Sequence, residues 1–80
     1  MIVIYGTKWC GPCQSAKRLL DQLKLTYKEI DIEKEGISRQ DLKNLTGGLT
    51  VPQIIINGKC IGGFDSLVVL NQKGDLKKLL

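Results

Sequence analysis

Two hydrophobic periods run along this chain and divide it into elements. Ile2 to Tyr5 is a short, β-branched apolar run closed by Gly6 and Thr7, which predicts a buried strand ending in a turn. Ala16, Leu19, Leu20 and Leu23 then recur at three- and four-residue spacing, with Lys17, Arg18, Asp21, Gln22 and Lys24 on the opposite face. That pattern predicts a first helix whose periodicity begins at Gln14. Tyr27, Ile30 and Ile32 mark a second strand, and the charged stretch from Glu33 to Gly36 leads to Ser38, a helix cap with Asp41 three residues on. Leu42 and Leu45 face the core from a short second helix that Gly47 and Gly48 end.

The second half reads differently. Val51 to Ile56 and Lys59 to Ile61 are apolar runs separated by Asn57-Gly58, a pair that tolerates positive φ in a type I′ turn, so an antiparallel hairpin is expected. Gly62 to Ser66 opens a last helix carried by Leu67, Val68 and Leu70, and Leu76, Leu79 and Leu80 close the chain. The predicted order is β-α-β-α-β-β-α: an α/β fold with three helices, whose first βαβ unit takes a right-handed crossover.

Composition narrows the class. Eighty residues are read as one domain over 1–80, with a single core and modest stability, since a chain this short buries only about 60 to 65% of its unfolded surface. The apolar start is too short for a secretory leader and no stretch reaches membrane-spanning length, so a cytoplasmic protein without a membrane partner is expected. An odd count of three cysteines argues for free, reactive thiols in a reducing compartment rather than a secreted disulfide framework. The net charge of +4, from 12 basic and 8 acidic residues, is scattered without a basic block interleaved with aromatics. It is read as solvated faces rather than a nucleic-acid surface.

The chemistry concentrates at Cys10-Gly11-Pro12-Cys13, between the first strand and the first helix. Unpaired N–H groups and the partial positive charge of a helix start favour a thiolate over a thiol at Cys10, the expected nucleophile. Cys13, one turn along, reaches the Cys10 sulfur and resolves a mixed disulfide by intramolecular attack. A structural zinc site needs four ligands, and only Cys60 and no histidine would remain to supply them, so no metal is expected. A plain structural disulfide closes so short a loop that it would stabilise the fold weakly. The missing histidine also removes the base that cysteine-protease chemistry requires, whereas exchange between sulfurs needs none.

With its Cys-x-x-Cys after the first strand, Thr50-Val51-Pro52 before the third and Gly62-Gly63-Phe64-Asp65 after the fourth, the chain resembles a glutaredoxin of the thioredoxin fold over nearly its whole length. The resemblance implies a four-stranded mixed sheet and a dithiol oxidoreductase with glutathione as reducing co-substrate. It makes Pro52 a cis-proline that turns the Val51 backbone toward the thiols, where Val51 pairs with a peptide-like substrate; a trans proline starting a strand is the plainer reading. It also assigns glutathione binding to Thr50, Val51, Pro52, Gly63, Phe64, Asp65 and Ser66. The helix start would meet the γ-glutamyl carboxylate and the Asp65 side chain the ammonium beside it. Asp65 and Ser66 serve equally as plain helix caps. Arg39 or Gln40 is a candidate for the other glutathione carboxylate.

Two features depart from the family pattern. Trp9-Cys10-Gly11-Pro12-Cys13 is the string of thioredoxins, whereas dithiol glutaredoxins usually carry Cys-Pro-Tyr-Cys. Pro12 lacks an N–H, which removes one donor from the Cys10 thiolate and predicts a more reducing pair. Lys8 stands two residues before Cys10 instead of three, so it either supplies positive potential and binds a glutathione carboxylate or is an ordinary surface lysine. Trp9 either shields the site or offers an apolar docking face, or else covers the core, and Cys60 is either a small buried hydrophobe or a site of glutathionylation or of an off-path disulfide. The implied partners are glutathione and disulfide-containing proteins, ribonucleotide reductase among them, met by a monomer. The rivals are a redoxin recharged by thioredoxin reductase and a dimer holding an iron–sulfur cluster through Cys10.

Overall fold

The computed structural model describes residues 1–80. Its elements are β1 (Ile2–Gly6), α1 (Gly11–Gln22), β2 (Lys28–Asp31), α2 (Arg39–Thr46), β3 (Gln53–Ile56), β4 (Lys59–Gly62), α3 (Phe64–Lys73) and α4 (Leu76–Leu79). The strands form one mixed sheet in the order β2-β1-β3-β4. β1 runs parallel to β2 and antiparallel to β3, with Ile4 opposite both Glu29 and Ile54, and β3 pairs antiparallel with β4. No helix is long and apolar enough to cross a membrane.

The core follows from the two periodicities. Ile2 and Ile4 from β1 and Ile54 and Ile56 from β3 meet Ala16 and Leu20 of α1, Leu67 of α3 and Leu76 of α4, all 3% exposed or less. Each buried Leu or Ile side chain contributes about 1.5–3 kcal/mol of transfer free energy. The sequence-predicted cap at Ser38 is a full capping box, its hydroxyl accepting from the Asp41 N–H at 3.0 Å while the Asp41 carboxylate accepts from the Ser38 N–H at 3.2 Å. Asn57 and Gly58 adopt φ of 49° and 85°, the conformation that the type I′ turn demands. The Asn57 side chain then ties three parts of the chain together, accepting from the amino terminus and donating to the Leu79 carbonyl at 2.7 Å.

Four expectations are corrected. α1 begins at Gly11, not Gln14: Cys10 is the N-cap, and proline in the first turn loses no intrahelical bond, so the helix starts before its apolar stripe does. It ends at Gln22, leaving Leu23 as the C-cap and 37% exposed. The second strand stops at Asp31; Ile32 is buried beyond it, its N–H held by the Gly6 carbonyl at 2.9 Å. Four helices replace the expected three, because Gly74 at φ 76° ends α3 and the remaining leucines form the separate turn α4.

Candidate active site

β1, an inner strand of the sheet, ends at the site and α1 carries the chain away, so Cys10 sits at the junction. Its extended backbone (φ −81°, ψ 114°) is that of an N-cap, and its sulfur takes the place usually filled by a hydroxyl or carboxylate oxygen, accepting from the Cys13 N–H at 3.1 Å. The Cys10 thiol donates in turn to the Val51 carbonyl at 3.6 Å. The Val51–Pro52 bond is cis, as the family resemblance implied, and it places that carbonyl over the thiol. Both cysteines are free and buried, Cys10 at 5% and Cys13 at 2% exposure.

The two thiols have different surroundings. Burial, and next the hydrogen bond with Cys10, push the Cys13 thiol up to about 12, while the Thr7 backbone and the Lys17 charge pull the other way. Gly6 makes room for it: a Cβ there would lie 2.8 Å from the Cys13 sulfur. Gly6→Ala should therefore destabilise the protein by about 1–3 kcal/mol through overpacking, read as a lower midpoint in chemical denaturation of the reduced protein; an unchanged midpoint would show that Cys13 is free to move aside.

The segment before Pro52 is held from beneath. Gln53, 5% exposed, donates to the Thr50 carbonyl at 2.9 Å and hydroxyl at 3.3 Å, and its carbonyl oxygen accepts from the Cys60 thiol at 3.6 Å. Arg39 donates to the Leu49 carbonyl at 3.0 Å and Gln40 to the Asn44 side chain at 3.2 Å, so both are engaged within the protein. The fourth strand brings the glycine pair alongside: a Cβ on Gly63 would sit 3.4 Å from the Pro52 carbonyl oxygen. Gly62, at φ 102°, takes a left-handed conformation that suits glycine alone. α3 has no side-chain cap, which corrects the reading of Asp65 or Ser66 as caps and leaves Asp65 exposed in its first turn.

The remaining candidates are dispersed around these. Trp9 is 67% exposed, so its ring does not cover the core, and its indole N–H donates to the Glu33 carboxylate at 2.9 Å. Lys8 is exposed and makes no ion pair; only its carbonyl is engaged, by the Gln14 side chain at 3.4 Å. Cys60 lines a cavity of about 710 Å³ between β4, α3 and α4 that neither active-site thiol touches. Sequence reasoning missed Gln53, Gly6 and Glu33. A polar residue within the apolar run after Pro52 was a usable signal for the first; the other two act only through contacts made in three dimensions.

Comparison with known proteins converges on one family. The glutaredoxin family model matches residues 2–61. Glutaredoxin-C6 of Oryza sativa subsp. japonica is 43% identical over 82 residues, covering 99% of this chain and 73% of its own. A glutaredoxin of Pseudomonas aeruginosa is 39% identical over 79 residues, covering 99% of this chain and 94% of its own. Among solved structures, the buckwheat glutaredoxin–glutathione complex aligns with a TM-score of 0.88 at 35% identity, over 99% of this chain and 74% of that one. With the sheet order, the thiol pair at the head of α1 and the cis-proline beside it all in place, these matches establish that the chain belongs to the glutaredoxin family of thioredoxin-like, glutathione-dependent thiol–disulfide oxidoreductases.

Proposed function

We propose that the protein reduces protein disulfides and glutathione mixed disulfides by a dithiol mechanism in which Cys10 attacks and Cys13 resolves. The observation that carries this reading is the hydrogen bond from the Cys13 N–H to the Cys10 sulfur, which supports a thiolate at the residue that the cis-proline faces. The Cys10 thiolate attacks a substrate disulfide, forming a Cys10–substrate bond and expelling one thiolate. Cys13 then loses its proton and attacks the Cys10 sulfur, closing the Cys10–Cys13 disulfide and expelling the second thiolate. Two glutathione thiols return the pair to the dithiol and leave as oxidised glutathione. In the reduced protein the Val51 carbonyl is engaged by the Cys10 thiol; once that sulfur has lost its proton, the carbonyl is free to accept a substrate N–H.

Glutathione is assigned to Thr50, Val51 and Pro52 together with Gly63, Phe64, Asp65 and Ser66, two segments that meet where Gly63 approaches the Pro52 carbonyl. The uncapped first turn of α3 and the free Asp65 carboxylate support it, for they suit the paired charges of a γ-glutamyl end. Lys8, exposed and two residues before Cys10, adds positive charge near the thiols. Buried thiols that work as a dithiol suit a reducing compartment such as the cytosol, with disulfide-bearing enzymes such as ribonucleotide reductase as partners.

A second reading rests on the exposed Gly11-Pro12 pair, which presents a thioredoxin-like surface between the thiols. It keeps the chemistry and makes thioredoxin reductase the electron source. Reduction of the oxidised protein by glutathione with glutathione reductase, run beside NADPH with thioredoxin reductase, separates the two. Turnover with glutathione is the expected result; turnover with thioredoxin reductase alone would overturn the glutathione reading.

A further inference from the structure

Gln53 opens β3 immediately after the cis-proline, and it is a buried polar side chain in an otherwise apolar strand. Both ends of its amide are engaged. The nitrogen donates to the Thr50 carbonyl at 2.9 Å and to the Thr50 hydroxyl at 3.3 Å, and the oxygen accepts from the Cys60 thiol at 3.6 Å. Because the Thr50 carbonyl can only accept, it fixes which way round the amide stands. Gly48 packs against the same amide: a Cβ there would lie 2.8 Å from the Gln53 Cδ.

The segment this amide holds has little else to fix it. The sheet ladder begins only at Gln53, opposite Tyr5, and no backbone hydrogen bond reaches Thr50, Val51 or Pro52. Side chains take the place of the ladder: Arg39 on the Leu49 carbonyl, Gln53 on Thr50 and the Cys10 thiol on the Val51 carbonyl. The last of these is a thiol donor, and it is lost when Cys10 becomes a thiolate, which can only accept. In the reactive form of the protein, Gln53 and Arg39 are therefore the side chains that donate to the segment, and Gln53 alone reaches a residue assigned to glutathione.

We infer that Gln53 is a positioning residue for glutathione: its amide stands in for the absent ladder bonds and holds the Thr50–Pro52 segment in its ligand-binding conformation while Cys10 ionises. This role rests on the glutathione reading above and names the side chain that makes that part of the site preformed. The N–H groups of Thr50 and Val51 have no partner in the protein, so they are available to a ligand only as well as the segment is held. A segment fixed beforehand binds without the cost of ordering it on arrival. Gln53 makes no hydrogen bond to Cys10 or Cys13, so its loss weakens the hold on the ligand and leaves the attack of the thiolate as it was.

The test is a split of KM from kcat in two variants. Gln53→Met keeps the length of the side chain without its amide. Gly48→Ala keeps the amide but displaces it from Thr50, since the added methyl meets the far end of a flexible side chain rather than backbone. With a glutathionylated peptide as substrate, each should raise KM about tenfold, the scale on which a lost hydrogen-bonded anchor is felt, and leave kcat within about twofold. The cysteamine mixed disulfide of the same peptide, which carries neither the γ-glutamyl nor the glycine arm, should turn over as in the parent protein, and iodoacetamide should alkylate Cys10 at the parent rate. An unchanged KM in either variant, a fall in kcat alone, or equal losses with both disulfides would overturn the positioning role. A parent protein that shows the same KM for both disulfides would instead overturn the glutathione reading and take the role of Gln53 with it.

Discussion

Cys10→Ser should reduce every exchange activity of the protein to background, a fall on the order of 10³-fold or more, the scale on which loss of a nucleophile is felt. A serine hydroxyl can still cap α1 by accepting the Cys13 N–H, so the fold is expected to survive while the chemistry does not. Cys13→Ser should behave differently. A glutathione mixed disulfide on Cys10 can be cleared by a second glutathione, so reduction of glutathionylated substrates should persist, whereas reduction of protein disulfides that need intramolecular resolution should fail. The physical basis is effective concentration: Cys13 sits one turn from Cys10, and an intramolecular thiolate outcompetes any dilute external one. Parallel assays with a glutathionylated peptide and an insulin-type protein disulfide read the contrast. Equal losses in both assays for Cys13→Ser would contradict the assignment of Cys13 as the resolving thiol.

Pro12→Tyr should raise the reduction potential of the Cys10–Cys13 pair by about 30–60 mV, a ten- to hundredfold change in the equilibrium with glutathione. The sulfur of Cys10 accepts one backbone N–H, that of Cys13, and position 12 in the first turn of α1 offers none because proline has no N–H. Tyrosine would supply a second donor directed at the same sulfur, stabilise the thiolate form and so favour the dithiol over the disulfide. Residue 12 is exposed, so the larger side chain has room. The midpoint of the thiol–disulfide equilibrium in graded mixtures of reduced and oxidised glutathione measures the shift. An unchanged potential would mean that the Val51 contact and burial, not the donor count, fix the poise of the pair.

Much of this was written in local sequence because local interactions cause it. The capping box at Ser38 and Asp41, the Asn57-Gly58 turn, the β1 run and the Ala16, Leu19 and Leu20 part of the α1 stripe each depend on residues a few positions apart, and each forms where the sequence places it. The Cys-x-x-Cys pair belongs to the same class, since a spacing of three along a helix start is enough to bring sulfur and N–H together. Where local signals compete, the sequence is less informative. Periodicity missed the first turn of α1, because Gly11 and Pro12 carry no apolar stripe, and it merged α3 with α4, because leucines continue past Gly74.

Family resemblance supplied a further layer, the cis bond at Pro52 and the approach of the Gly62-Gly63 segment, which no periodicity encodes. Tertiary structure alone decided the rest. Gln53 under Thr50, Glu33 at the indole of Trp9, Gly6 against the Cys13 sulfur and the Lys17–Glu29 pair between α1 and β2 all join residues from different elements. The sequence determined which groups do the chemistry. The fold determined how strongly the Cys13 sulfur holds its proton, because burial and charge there are sums over neighbours that only the packed sheet and helices bring together.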